Sequence, residues 1–302
     1  MKISDEQLSY YYEVSGAGAQ HLEPGNSVVV RTQDARAGSV TATQVRPGTA
    51  FDFPIRPHGA RSNPLSGPLV INGAEPGDAL VVSIEDIKVD DVGWCGGRPI
   101  VGIDAMRIPH ALTRLCTVEG QVVRFSDSIS LPAAPMIGCI GTAPAGERVR
   151  SENPGRHGGN MDHKVIRAGS QVYLPVAHAG AYLYLGDVHA IQGDGELSGV
   201  GLEISAEISI VVDVIKDCRI GWPWAEADGK IMVLTCGPNF PQARREAIEA
   251  MLSVVETQLG LAPAESLALI SLAGDLRIGQ ACGGMDITVR LEMPASLGLH
   301  PA

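Results

Sequence analysis

The sequence predicts an α+β protein, predominantly β, built from β-sandwich- or barrel-like sheets with a small helical pair near the C-terminus. Two patterns carry this prediction. Gly (36) and Pro (20) recur at short intervals and separate short β-branched runs, as expected of many strands joined by tight turns. Helical periodicity appears only late in the chain. The 302 residues suffice for one large unit over 1–302 or for two intimate subdomains.

Taken in order, the strand runs are Ser27 to Val30, Ala79 to Ile84, Val172 to Leu174, Tyr182 to Leu185, Glu203 to Ile215, Ile231 to Thr235 and Ile287 to Met293. The longest alternates Ile204, Ala206, Ile208, Ile210, Val212 and Val214 with polar partners, so a period of two sends the apolar set to the core. Glu203 and Glu207 then fall on the opposite, solvated face. The first helix is expected from Pro241 to Gly260, because Ile248, Met251, Leu252, Val255 and Leu259 form one stripe. A second runs from Pro263 towards Gly274. Strand–helix alternation is missing over most of the length, which argues against a doubly wound sheet.

Charge narrows the partners. Acidic residues number 34 against 23 basic, a formal charge of -11, and such a surface repels nucleic acid. No apolar run approaches the roughly 20 residues of a spanning helix, so no membrane partner is expected. The start, MKISDEQLSY, lacks a signal peptide's apolar segment, and a cytoplasmic location is expected. Cys95, Cys116, Cys139, Cys218, Cys236 and Cys282 form no CxxC pair and read as small buried hydrophobes.

The chemistry concentrates between Asn153 and Glu203. In Arg156 to His163 the paired Gly158 and Gly159 permit close backbone approach. Asn160 and Asp162, two apart, share a side if the chain is extended; the bland alternative is a polar turn. In Gly186 to Glu196, Asp187 and His189 share one strand face, and Asp194 and Glu196 share another beyond a glycine-containing turn. A hairpin-like return would gather three carboxylates, one imidazole and the Gln192 amide. Carboxylates crowd together only when a cation or shared protons offset their repulsion. The alternative is a solvated acidic turn. A divalent metal is the cofactor this composition suits, zinc first, with calcium or magnesium open as alternatives. Hydrolysis by metal-activated water follows as the candidate chemistry, with Asp, Glu and His as proton carriers. GxSxG and GxxxxGK[ST] strings are absent from the sequence.

These segments resemble the acetamidase/formamidase family. The strings are GRHGGNMDHK at 155–164, AGSQVYLPV at 168–176 and GDVHAIQGDGE at 186–196, supported by NPLSGPLVINGAEPGDALVVSI at 63–84, IGTAPAGE at 140–147 and AGDLRIGQ at 273–280. The resemblance runs from about residue 20 to about residue 295. It implies hydrolysis of formamide, acetamide or a related short amide, a β-rich fold and a homo-oligomer. It also implies a divalent metal near Asn160, Asp162, Asp187, His189, Gln192 and Asp194, with Asp187, His189 and Glu196 as catalytic candidates. Asp78 matches a further family position and reads as a structural turn. Pro175 to Tyr182 lacks the Glu common in relatives, and His157, His178 and His58 are added candidates for the site. The alternatives are a hydrolase of larger or cyclic amides or other C–N bonds, and a metal-dependent binding protein without turnover.

Overall fold

A computed structural model describes residues 2–5, 7–40, 50–51, 62–97, 108, 112–282 and 285–301. His58 lies outside them. The principal elements are β1 (Ser27–Thr32), β2 (Leu65–Ile71), β3 (Ala79–Val89), β4 (Val92–Gly97), β5 (Leu112–Glu119), β6 (Val122–Ser126), β7 (Met136–Gly141), β8 (Gly158–Asn160), β9 (Gln171–Pro175), β10 (Leu183–His189), β11 (Ala206–Ile215), β12 (Trp224–Ala227), β13 (Lys230–Gly237), α1 (Phe240–Leu259), α2 (Pro263–Ala273), β14 (Asp275–Ile278) and β15 (Ile287–Pro294). The fold is α+β, predominantly β, with its helices near the C-terminus.

Among the described residues the largest sheet has nine strands, with the edge pair Lys2–Ile3 followed by β1-β11-β3-β9-β12-β13-β15-β14. A second sheet runs β8-β7-β10-β2 and is extended by Leu8–Ser9 and Gln20–Leu22. A third is built on β4, β5 and β6. Strand β13 shows how the layers stack. Met232 and Leu234 enter the core between the sheets, whereas Ile231 and Val233 face Ala243, Ala247, Met251 and Val255 of α1. A strand buried on both faces reads as a continuous apolar run, and β13 does.

Both helices end where the punctuation predicts. Asn239 caps α1 by accepting from Gln242 N at 3.0 Å, and Gly260 closes it in the left-handed region at φ 66. α2 occupies Pro263–Ala273. None of the described helices is long and apolar enough to cross a membrane.

Strand β11 begins at Ala206, three residues later than the alternation predicts. Glu207 remains partly exposed and reaches Lys2 at 2.5 Å. Glu203 is the correction: it is only 2% exposed. Its backbone exchanges hydrogen bonds with Trp94 and forms an isolated bridge to His189, so it links β4 to β10 instead of lying on an open face.

Candidate metal and active centre

Three strands of the second sheet build the centre. β7 is buried throughout and pairs with both β8 and β10. Gly158 and Gly159 have φ of +100 and +92, and a Cβ on Gly158 would strike the Ile140 carbonyl. Only glycine lets these backbones meet so closely. Asp162 follows directly, and Asp187 and His189 end β10. Gly138 of β7 lies beneath both acids. A Cβ there would lie 2.6 Å from Asp162 Oδ1 and 2.9 Å from Asp187 Oδ2. Gly138→Ala is therefore expected to push the two carboxylates apart and lower bound divalent metal by about 10-fold or more, the scale seen when groups that hold metal ligands in place are changed. Metal content of the folded protein checks this, and a full complement would contradict it.

Two overlapping groups converge, Asp162–His189–Glu196 and Asp187–His189–Glu203, each with ligand-type atoms within 4.8 Å of one another. His189 Nε2 lies 3.1 Å from Glu203 Oε1 and 3.8 Å from Asp187 Oδ1. Its Nδ1 faces Gln192 Oε1 at 2.7 Å, and Gln192 Nε2 donates to the Asp162 carbonyl at 2.8 Å. A Gln oxygen only accepts, so the proton sits on Nδ1 and Nε2 is left facing the acids. The packing admits little rotation, since a Cβ on Gly201 would lie 2.6 Å from the imidazole.

The acids are in an unusual state. Burial, then Asp187, raises Asp162 to about 8. Burial also raises Glu203 to about 7 despite the neighbouring imidazole, and pushes Glu196 well above the carboxylate range with Asp162 adding to the effect. Burial opposes charge on His189, but Glu203 and Asp187 outweigh it and push the imidazole up. Both Asp162 oxygens, Asp187 Oδ1 and Glu203 Oε2 are buried without a hydrogen-bond partner, and His189 Nε2 faces the flanking acids of Glu203 and Asp187. Unpaired buried polar atoms are rare and call for an explanation, and carboxylates with one imidazole are a donor set for a divalent ion. The residues fit such an ion.

The predicted residues divide accordingly. Asp162, Asp187, His189 and Glu196 come together. Asn160 lies one layer out, its Oδ1 accepting from the Cys139 thiol at 3.1 Å and from Asn63 Nδ2 at 3.4 Å. Gln192 orients the imidazole with both of its polar atoms engaged. Asp194 points elsewhere, meeting Arg290 Nη1 at 3.0 Å and Lys164 Nζ at 3.1 Å. Burial alone would raise its pKa, but Arg290 and Lys164 hold it below the usual range. Positive φ at Gly195 (98) and Glu196 (41) turns Glu196 inward and breaks the shared face. Asp194→Asn is thus expected to leave metal content intact while costing about 1–3 kcal/mol of stability through the buried Arg290. Metal loss without a change in denaturation midpoint would reverse that assignment.

Of the added histidines, His157 and His178 stay outside the centre. His157 packs edge-on against Tyr12 at 4.8 Å and burial lowers it to about 4. His178 Nε2 faces the Pro144 carbonyl at 2.8 Å, and Pro175 to Tyr182 does not line the cleft described below. Asp78 is structural, accepting from Glu75 N, Asp217 N and Lys216. All six cysteines are free thiols; Cys116, Cys139, Cys236 and Cys282 are buried, Cys95 and Cys218 partly so. Sequence reasoning alone misses Asn63 and Glu203 as site residues. Asn63 Nδ2 donates to Asp187 Oδ2 at 2.8 Å. Its place in the NPLSGP string is the signal that could find it.

A cleft of ≈ 410 Å³ opens onto Asp187, Glu196 and Glu203, walled by Trp94, Val200 and Met285 and edged by Asn63 and Asn160. Fold and site together define a class: a β-rich α+β protein with a buried acid–imidazole centre beneath a cleft. The sequence model of the Acetamidase/Formamidase family matches residues 17–154 and 145–225, and the chain belongs to that family. The crystal structure of an acetamidase from Bacillus halodurans is 32% identical and superposes with a TM-score of 0.89, covering 99% of this chain and 98% of that one. A predicted acetamidase/formamidase from Thermoanaerobacter tengcongensis is 27% identical with a TM-score of 0.87, covering 98% and 96% of the respective chains. Among curated proteins, a putative formamidase of Schizosaccharomyces pombe is 32% identical over 213 residues, 51% of this chain and 52% of the relative. The chain thus spans about half the length of the curated relatives it matches.

Proposed function

We propose that this protein hydrolyses a short carboxamide, formamide or acetamide first, to the carboxylate and ammonia. The observation that carries the proposal is the convergence of buried ligand-type atoms of Asp162, Asp187, His189 and Glu203, with both Asp162 oxygens, Asp187 Oδ1 and Glu203 Oε2 lacking a hydrogen-bond partner, next to a cleft that Asp187 and Glu203 line. Asp162, Asp187, His189 and Glu203 would hold a divalent ion, zinc being favoured by the imidazole and calcium or magnesium by the oxygen-rich set. When bound, such an ion would supply Lewis acidity, lowering the pKa of a water and polarising the amide carbonyl.

The chain's own residues supply the rest. Gln192 fixes the tautomer in which His189 offers Nε2. Asn63 occupies Asp187 Oδ2 and leaves Oδ1 free. Glu196 borders the cleft and has a strongly raised pKa. In its carboxylate form, which a neighbouring cation would favour, Glu196 would take a proton from the attacking water and, as the acid, deliver it to the leaving nitrogen. A second reading, a larger or cyclic carboxamide, is favoured by the size of the cleft, ≈ 410 Å³, which falls within the roughly 300–1,000 Å³ of pockets that hold drug-sized ligands.

The test is ammonia release from formamide, acetamide and a series of larger amides, using protein of measured metal content. Release that tracks metal loading supports the proposal. No release from any amide by fully loaded protein would reject it in favour of a binding role.

A further inference from the structure

Besides its contact with Asp187, Asn63 lines the cleft, and a role for it there rests on the amidase reading. Its amide is held in one orientation. Nδ2 donates to Asp187 Oδ2 at 2.8 Å and to Asn160 Oδ1 at 3.4 Å, and the Cys139 sulfur lies 3.8 Å away. The Asn160 amide oxygen only accepts, so the flipped Asn63 amide would set oxygen against oxygen. The NH2 end therefore points inward and the carbonyl end is turned away from the acids. Asn63 lines the cleft, its Oδ1 accepts no hydrogen bond among the described residues, and this atom is not among the sealed, unpartnered ones. The backbone helps to fix the pose: Asn63 has φ 54, a conformation Asn tolerates, and its N–H is tied to the Ala35 carbonyl at 3.1 Å.

The geometry points to Asn63 as a specificity-determining residue: its cleft-facing carbonyl oxygen accepts an N–H of the bound amide and selects unsubstituted carboxamides over N,N-dialkyl amides. The direction of the bond makes the choice. The only free polar atom of the side chain is an acceptor, and of the carbonyl compounds that could enter the cleft, a primary amide has two N–H donors and a dialkyl amide none. A site built to hydrogen-bond a substrate N–H rejects the analogue that lacks it.

Apparent affinities for acetamide and N,N-dimethylacetamide, the latter as a competitive inhibitor where it is not hydrolysed, test this, with metal content measured on every preparation. The wild-type protein is expected to favour acetamide by at least about 10-fold. Asn63→Leu keeps the side chain's size and removes both polar atoms; it should lower the affinity for acetamide by about the same factor, leave dimethylacetamide unchanged and erase the preference. Asn63→Asp keeps an acceptor in the cleft but loses the donor to Asp187, and should bind metal more weakly while retaining the preference. A wild-type protein that shows no preference would overturn the assignment. So would an Asn63→Leu protein in which both ligands weaken equally, which would mean that Asn63 acts only through Asp187. If Asn63→Leu does not fold or holds no metal, Asn63→Asp decides, and loss of its preference is the negative result. Wild-type protein that hydrolyses no amide at all defeats the functional proposal itself, a separate outcome.

Discussion

Asp187→Asn protein is expected to fold, bind little divalent metal and lose amide hydrolysis by more than about 100-fold in kcat/KM, because even the residues that merely orient a metal's ligands cost 10–100-fold when changed. The substitution keeps the size of a side chain that is 2% exposed and leaves an oxygen for Asn63 Nδ2 to bond at Oδ2's place. What it removes is the charge at Oδ1, 3.8 Å from His189 Nε2. Loss of a carboxylate also relieves crowding around Glu203, whose pKa Asp187 helps to raise. The variant should therefore melt no lower than metal-free wild type. Metal content, circular dichroism and ammonia release on one preparation distinguish the outcomes. A folded variant with wild-type metal content and rate would remove Asp187 from the centre.

Metal removal should make stability fall as pH rises, the reverse of ordinary acid denaturation. Asp162 titrates near 8 and Glu203 near 7 in the fold, against ordinary values of 3.8 and 4.5, and Glu196 is also raised. Between the unfolded and folded values the native state holds more protons, so stability declines with increasing pH. His189, raised above 6.5, acts in the same direction: its favourable charge is present at low pH and is lost as pH climbs through its folded value. A tenfold difference in proton affinity between the folded and unfolded chain is worth about 1.4 kcal/mol, so the midpoint of chelated protein should drop by at least about 5 °C between pH 5 and pH 8. Added zinc should abolish the decline, because its ligands bind deprotonated and affinity grows with pH. Thermal melts with and without chelator across that range provide the check. A chelated protein that grows more stable towards pH 8 would contradict this account of the buried acids.

Local pattern predicts what local forces decide. The apolar stripe with Pro241 and Gly260 places α1, and the run from Ile231 to Thr235 locates a strand that is buried on both faces. The glycine pair before Asn160 and Asp162 signals a close backbone approach. The errors at Asp162, Glu196 and Glu203 have one physical source. Period-two reasoning assumes an extended chain, and the site breaks that assumption at the residues that matter. Asp162 and Glu196 turn out of register with Asn160 and Asp194 because their backbones are left-handed. Alternation assigns Glu203 to the solvated face of β11, but the strand starts after it and long-range pairing with Trp94 and His189 fixes its direction. Asn63 lies 124 residues from its partner Asp187, a separation no local pattern can bridge.

Those left-handed backbones set stability against activity. Of the nine non-glycine residues with positive φ among the described residues, four belong to the site or brace it: Asn63, Asp162, Asp187 and Glu196. The left-handed region costs a non-glycine residue up to about 1–2 kcal/mol relative to glycine, and less at Asn and Asp, which tolerate it; three of the four side chains add a buried acid. Selection for thermal stability alone should therefore drift towards glycine at these positions. Asp162→Gly in particular should yield a chelated protein that melts higher than chelated wild type and hydrolyses nothing, since the fold would then be free of a load that only the chemistry requires.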